Sequence, residues 1–238
     1  MELPRRRILD DFPYPVAYPY SLIFDESQQA SLRRWSLYFT EYQALRMVAL
    51  PLVGQYLSEE IDESDPETIR KLNTAIASIR APFFSDWIEL AYSLRKHLPK
   101  VGIAAFFPGL SQALDALGKK VVERPVDQRG QSKLDPLRAI LALRNATAHG
   151  ALPDEAEAAR HLEQYLPVLH DVLDAFDFLG DHVLKVRCDG PTPAPPDHAW
   201  IRNLRGAVLT DPVEEPLSDA LEQAFRDECE TLLLAPDF

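Results

Sequence analysis

From Glu26 to Glu59, apolar residues recur at three- and four-residue steps: Leu32, Trp35, Phe39, Tyr42, Leu45 and Met47. That period predicts a long amphipathic helix with this stripe on its buried side. Pro51 is expected to kink or split it, because a proline ring removes one backbone donor and clashes with the preceding turn. A second helix is expected over 66–79, with Asp65 as N-cap and Pro66 at the first helical position. A third, in "FFSDWIELAYSLRKHL", places Trp87, Leu90, Ala91 and Leu94 on one stripe. A fourth covers 103–118 with a bend near Pro108-Gly109. The polar loop "ERPVDQRGQS" follows, then a helix over 133–149. A last long helix lies in "DEAEAARHLEQYLPVLHDVLDAFDFLG".

Two stretches break this pattern. Residues 12–24, "FPYPVAYPYSLIF", interleave three prolines with aromatics. Proline disfavours a helix there, so an extended arm is expected over residues 1–25, laying its tyrosines on the chain's own helices. A polyproline ligand for a partner's groove is the other reading. After Gly180 the character changes. "HVLKVRC", "AWIRNLRGAVL" and "ETLLLAP" read as strands, separated by a proline-rich linker at 190–197. The expected fold class is mainly α: an up-and-down helical bundle over 26–180, followed by a small β-containing tail over 181–238. The apolar run "TLLLAPDF" is expected to be paired within the tail or to lead into further chain.

Composition narrows the class. At 238 residues, 46% hydrophobic and 26% charged, the chain reads as a soluble globular protein. No apolar run approaches the roughly 18 residues of a membrane span, and no apolar segment follows the basic residues near the start, so no signal peptide is expected. Cys188 and Cys229 are far apart and form no CxxC, so neither a disulfide framework nor a zinc site is expected and a cytoplasmic location is the simplest. No metal and no cofactor are expected; the acidic "EEIDESDPE" lacks calcium-loop spacing, and there is no P-loop or GxGxxG.

A net charge of -12 argues against a generic nucleic-acid coat protein. The distribution changes that picture. Residues 206–238 hold nine acids and one base, whereas 119–149 hold seven bases and three acids. Lys119, Lys120, Arg124, Arg129, Lys133 and Arg138 are therefore candidate RNA-phosphate contacts. The basic segment ends in "LRAILALRNATAHG". On a helix, Asn145 and His149 share a face and Arg144 lies roughly 100° to one side, so the three can flank one cleft. His149 falls in the last turn, where the helix dipole favours the protonated ring. Histidine moves protons and arginine holds a phosphate and its developing charge, a set suited to phosphodiester chemistry. The same residues also cap helix ends, and spacing alone leaves that alternative open.

"RNATAH", residues 144–149, resembles the R-x4-H motif of the HEPN superfamily, with a polar residue after the arginine and a small one, Gly150, after the histidine. The resemblance covers roughly 26–180 and implies a HEPN-like bundle with the motif late in it. It further implies a metal-independent endoribonuclease of bacterial toxin–antitoxin or antiviral-defence type. In such enzymes the 2′-hydroxyl attacks the adjacent phosphate and leaves a 2′,3′-cyclic phosphate. By the same resemblance, Arg144 stabilises the phosphate, His149 is the acid/base and Asn145 orients one of them or the RNA. Two copies form a homodimer with both motifs at one cleft, and an antitoxin or regulatory partner is implied. The arm and bundle also look like the front module of a larger bacterial conflict protein. The alternative is a non-catalytic sensor or interaction domain that regulates a partner or a fused effector.

Among the remaining candidates, Glu41 lies in the apolar first helix. It is expected either to reach Arg144 as a supporting partner or to be an ordinary exposed glutamate. His97 is expected to cap a helix end at the surface. His161 and His170, nine apart, have no metal spacing, and His170 is expected half-buried.

Overall fold

The computed structural model describes residues 5–78, 83–123, 133–149, 153–188, 190–192, 194–195, 198–216 and 231–234, with 123, 148–149 and 231–234 described by their backbone. It is mainly helical, with a small β-containing C-terminal part. The helices are α1 (Arg6–Asp11), α2 (Tyr14–Leu22), α3 (Ala30–Ser58), α4 (Pro66–Ala77), α5 (Phe84–His97), α6 (Leu110–Lys119), α7 (Pro136–His149) and α8 (Glu155–Ala175). The strands are β1 (Val122–Glu123), β2 (Lys133–Leu134), β3 (Val183–Arg187), β4 (His198–Leu204), β5 (Val213–Pro216) and β6 (Thr231–Leu234).

The expected extended arm is instead two short helices. Pro13 is the N-cap of α2 and Pro15 lies in its first turn, where backbone N–H groups have no helical partner to lose; Pro19 is tolerated inside. The tyrosine packing occurs in part, with Tyr18 left exposed. Tyr20 is fully buried and its hydroxyl sits 2.7 Å from Nε2 of His170 on α8. His170 is accordingly buried rather than half-buried.

The long helix forms as α3, but rotated from the expected phase. Its core face is Leu37, Glu41, Ala44, Leu45, Val48, Ala49 and Leu52, whereas Leu32 and Phe39 are 53% and 52% exposed. Too much of the circumference of α3 is apolar for spacing alone to choose the arc that faces the core. Pro51 does not split it. Its neighbours Val48, Leu52 and Val53 are buried, and their packing outweighs the roughly 3 kcal/mol that an internal proline costs. Asp65 caps α4 as expected, accepting from the Thr68 N–H at 3.0 Å. The fourth helix starts only after Gly109, and the motif helix starts at Pro136, because Lys133 and Leu134 pair with β1.

In the tail, β5, β4, β3 and β6 form one antiparallel sheet in that order. Ala199 and Ile201 of β4 and Leu184 of β3 point inward with the period of two that one covered face requires. The apolar "TLLL" run is paired with β3, Val183 opposite Leu234. The N-terminal helices tie this sheet to the bundle. Gly206 N–H donates to Phe12 O at 2.8 Å and Ala207 N–H to Leu9 O at 2.7 Å. Arg205 pairs with Asp11, and Arg7 with Asp177 and Asp181. No helix among the described residues is long and apolar enough to cross a membrane.

Candidate functional site

The motif helix α7 is anchored at its start by Asp135, which accepts from the Arg138 N–H at 3.0 Å. Leu137, Ala139, Ile140 and Leu143 bury its inner face against α3, α5 and α8. Arg144 emerges from that packing half-buried. Its Nη1 donates to Oδ1 of Asn145 at 3.0 Å, which fixes the plane of the guanidinium. Among the described residues no carboxylate pairs with Arg144. Thr147 is buried, donating to Leu143 O at 3.0 Å and standing 3.5 Å from the Tyr38 hydroxyl. His149 is the last residue of α7; its side chain, and Gly150, lie outside the described residues.

Arg144 borders a cleft of about 320 Å³ whose other walls are aromatic: Trp35, Tyr38, Phe39 and Tyr42 from α3, and Phe83 and Phe84 from the start of α5. The α3 positions 35, 38, 39 and 42 are one helical stripe by the i, i+3, i+4, i+7 rule. Trp35 and Tyr38 meet edge to face with centroids 5.4 Å apart, and Tyr42 leans on Phe84 at 5.4 Å. Phe83 is 76% exposed at the rim. Among the described residues Arg144 is the one charged group in this lining.

A second guanidinium lies close to Tyr38. Arg34 is 1% exposed, 5.9 Å from the Tyr38 ring centroid, with Nη1 3.3 Å from Nδ1 of His161. Its Nε has no hydrogen-bond partner among the described residues. Burial, then Arg34, holds His161 below the usual histidine range, so its ring is neutral at physiological pH. Burial raises the Tyr38 phenol, while Thr147, Arg34 and Arg144 oppose that rise. Sequence spacing gave no sign of the Arg34–His161 contact, because it joins residues 127 apart in the chain. The ring stripe was visible as a pattern but was assigned to the core.

The other candidates fall elsewhere. Glu41 is neither exposed nor Arg144's partner. It is fully buried, and neither carboxyl oxygen has a hydrogen-bond partner among the described residues. Burial, with Asp135 adding repulsion, lifts its pKa well above the usual carboxylate range. In the basic set, Arg138 is committed to Asp135 at 2.7 Å and Glu89 at 2.8 Å, and lies over the Tyr92 ring. Lys120 pairs with Asp171 at 2.6 Å. Lys119 and Lys133 are exposed, and Arg124 and Arg129 lie outside the described residues. His97 is buried with Nδ1 unpartnered, not a surface cap. It lines a larger cleft of about 460 Å³ between α4 and α5, whose Lys71, Asp86 and Glu89 are already engaged with Glu67, the Phe83 N–H and Arg138. Among the described residues no three His, Cys, Asp or Glu side chains are grouped so as to hold a metal ion.

No family model, curated protein or solved structure matches the chain.

Proposed function

We propose that this protein is a metal-independent endoribonuclease of the HEPN type, acting at the R-x4-H segment of α7. One observation carries the reading: Arg144, unpaired by any carboxylate among the described residues and steadied by Asn145, borders an open cleft. A guanidinium kept free of counter-charge is available to a phosphate. His149 ends the same helix, where the dipole favours its charged form. In this reading the 2′-oxygen of the RNA attacks the adjacent phosphorus and gives its proton to a neutral imidazole. The P–O5′ bond breaks, and the leaving 5′-oxygen takes a proton from a protonated imidazole. Arg144 offsets the charge that builds on the non-bridging oxygens. Two copies in a homodimer bring two motifs to one cleft and so provide both imidazoles.

The test is cleavage of a mixed tRNA and mRNA pool in EDTA by wild type, His149→Ala and Arg144→Ala, matched for folding by circular dichroism. Fragments with 2′,3′-cyclic phosphate ends from wild type alone are expected. Equal cutting by all three, or cutting by none, refutes catalysis at this motif. The exposed rings Phe39 and Phe83 favour a second reading, a non-catalytic interaction domain that regulates a partner through the same face. Absence of cutting together with retained RNA or protein binding selects it.

A further inference from the structure

The Arg144 cleft joins two chemistries. Its walls are aromatic rings, and its charge is a planar guanidinium at one edge. A ligand that fits both is flat, apolar on its faces and anionic at one end. Nucleotides have that form. Trp35 and Tyr38 stand almost perpendicular, at 86°, so they make a corner that a flat ring can enter with one face on a wall. Phe39 and Phe83 are 52% and 76% exposed. The buried guanidinium of Arg34 lies 5.9 Å from the Tyr38 ring centroid.

We propose that this cleft is a base-stacking subsite for single-stranded RNA: one unpaired base lies against the Trp35–Phe39–Tyr42 stripe while Arg144 holds its phosphate. The inference rests on the reading that RNA is the ligand of the motif, and it names which RNA. In a duplex the base faces are covered by their neighbours, so a loop or unpaired strand is taken and a helix is refused. Rings grip any base face, so the subsite sets strandedness more than sequence.

The experiment is fluorescence anisotropy with the full chain in EDTA, using 2′-deoxy-substituted oligonucleotides that lack the attacking hydroxyl. Three probes are compared: a single strand, the same strand with one abasic position, and its duplex. Phe39→Ser and Phe83→Ser alter exposed rings, so both variants are expected to fold, as circular dichroism will show. Losing one stacked base is expected to weaken single-strand binding about tenfold to a hundredfold. The abasic strand should show that loss with wild type and little further loss with Phe39→Ser. Duplex should bind weakly to all forms. Equal affinity for intact and abasic strands, or unchanged affinity in both ring variants, overturns the subsite.

The nuclease reading fails separately, by absence of cyclic-phosphate ends, and stacking can survive that failure. Conversely, cutting that persists with ring variants of unchanged affinity keeps the nuclease and removes the subsite. Sedimentation supplies a last check. If the ring variants turn a dimer into a monomer and leave single-strand affinity per chain unchanged, the rings are an interface between copies and the subsite is wrong.

Discussion

Glu41 is a carboxyl group in the core with no hydrogen-bond partner among the described residues, and burial lifts its pKa well above the ordinary 4.5. The unfolded chain releases this proton near pH 4.5, whereas the folded chain keeps it to higher pH. Between those two points folding takes up a proton. Stability therefore falls as pH rises, by up to about 1.4 kcal/mol per pH unit, and levels off above the folded-state pKa. Below the unfolded value the contribution is fully present. Glu41→Gln abolishes the titration, so its stability relative to wild type should climb with pH from about 4.5 upward. Glu41→Leu removes the unmatched oxygens as well. It should be about 1–3 kcal/mol more stable than wild type even near pH 5, with about 2–4 °C of Tm per kcal/mol for a chain this long.

Urea unfolding of the three proteins at half-unit steps from pH 5 to 9 measures this. The difference between variant and wild type is the quantity to plot, because it cancels the other carboxylates. Asp25, Asp62, Asp65, Glu67 and Glu155 are held low by their hydrogen bonds and slope the opposite way in acid. A flat Glu41→Gln difference across the range would refute the reasoning, since it would mean that Glu41 is ionised and paired in the folded chain. A destabilised Glu41→Leu would point the same way, because breaking a buried ion pair leaves its partner uncompensated.

Three further outcomes follow from the geometry. Gly206 has φ +72, and a Cβ there would lie 2.8 Å from Leu9 O, so Gly206→Ala should cost about 1–3 kcal/mol in urea unfolding by straining the joint between arm and sheet. Tyr20→Phe deletes a hydroxyl bonded to His170 and to the Arg5 N–H, and should cost about 1–2 kcal/mol with little change in circular dichroism. Arg138→Gln should leave RNA affinity nearly unchanged and lower stability by about 1–3 kcal/mol, because its guanidinium is already committed to the exposed Glu89 and to Asp135, whose side chain is largely buried; a large loss of affinity in a filter-binding assay would return it to the RNA contacts.

How much of this was legible in the sequence depends on the range of the interaction involved. Asp65 before Pro66 announces its helix because a cap acts over three residues. Three of the four strands after Gly180 were legible as short apolar runs, whereas β5, with the sequence VEEP, carries no such pattern. The arm is helical rather than extended because the effect of proline depends on position: Pro13 and Pro15 at the cap and first turn break nothing, and Pro19 alone lies inside α2. The phase of α3 shows the deeper difficulty. A stripe at 35, 38, 39 and 42 and another at 37, 41, 44, 45 and 48 are both helical spacings, and the first is the richer in rings. Ranking by hydrophobicity sends the rings inward. The packing takes only Tyr38 fully inward, leaves Trp35 and Tyr42 half-buried and Phe39 half in water, and buries a carboxyl at Glu41. That inversion is unfavourable for folding alone, and it falls on the helix that faces Arg144. A sequence spends stability in this way where a surface has other work, so the misplaced stripe is itself an argument that the cleft beside Arg144 binds something.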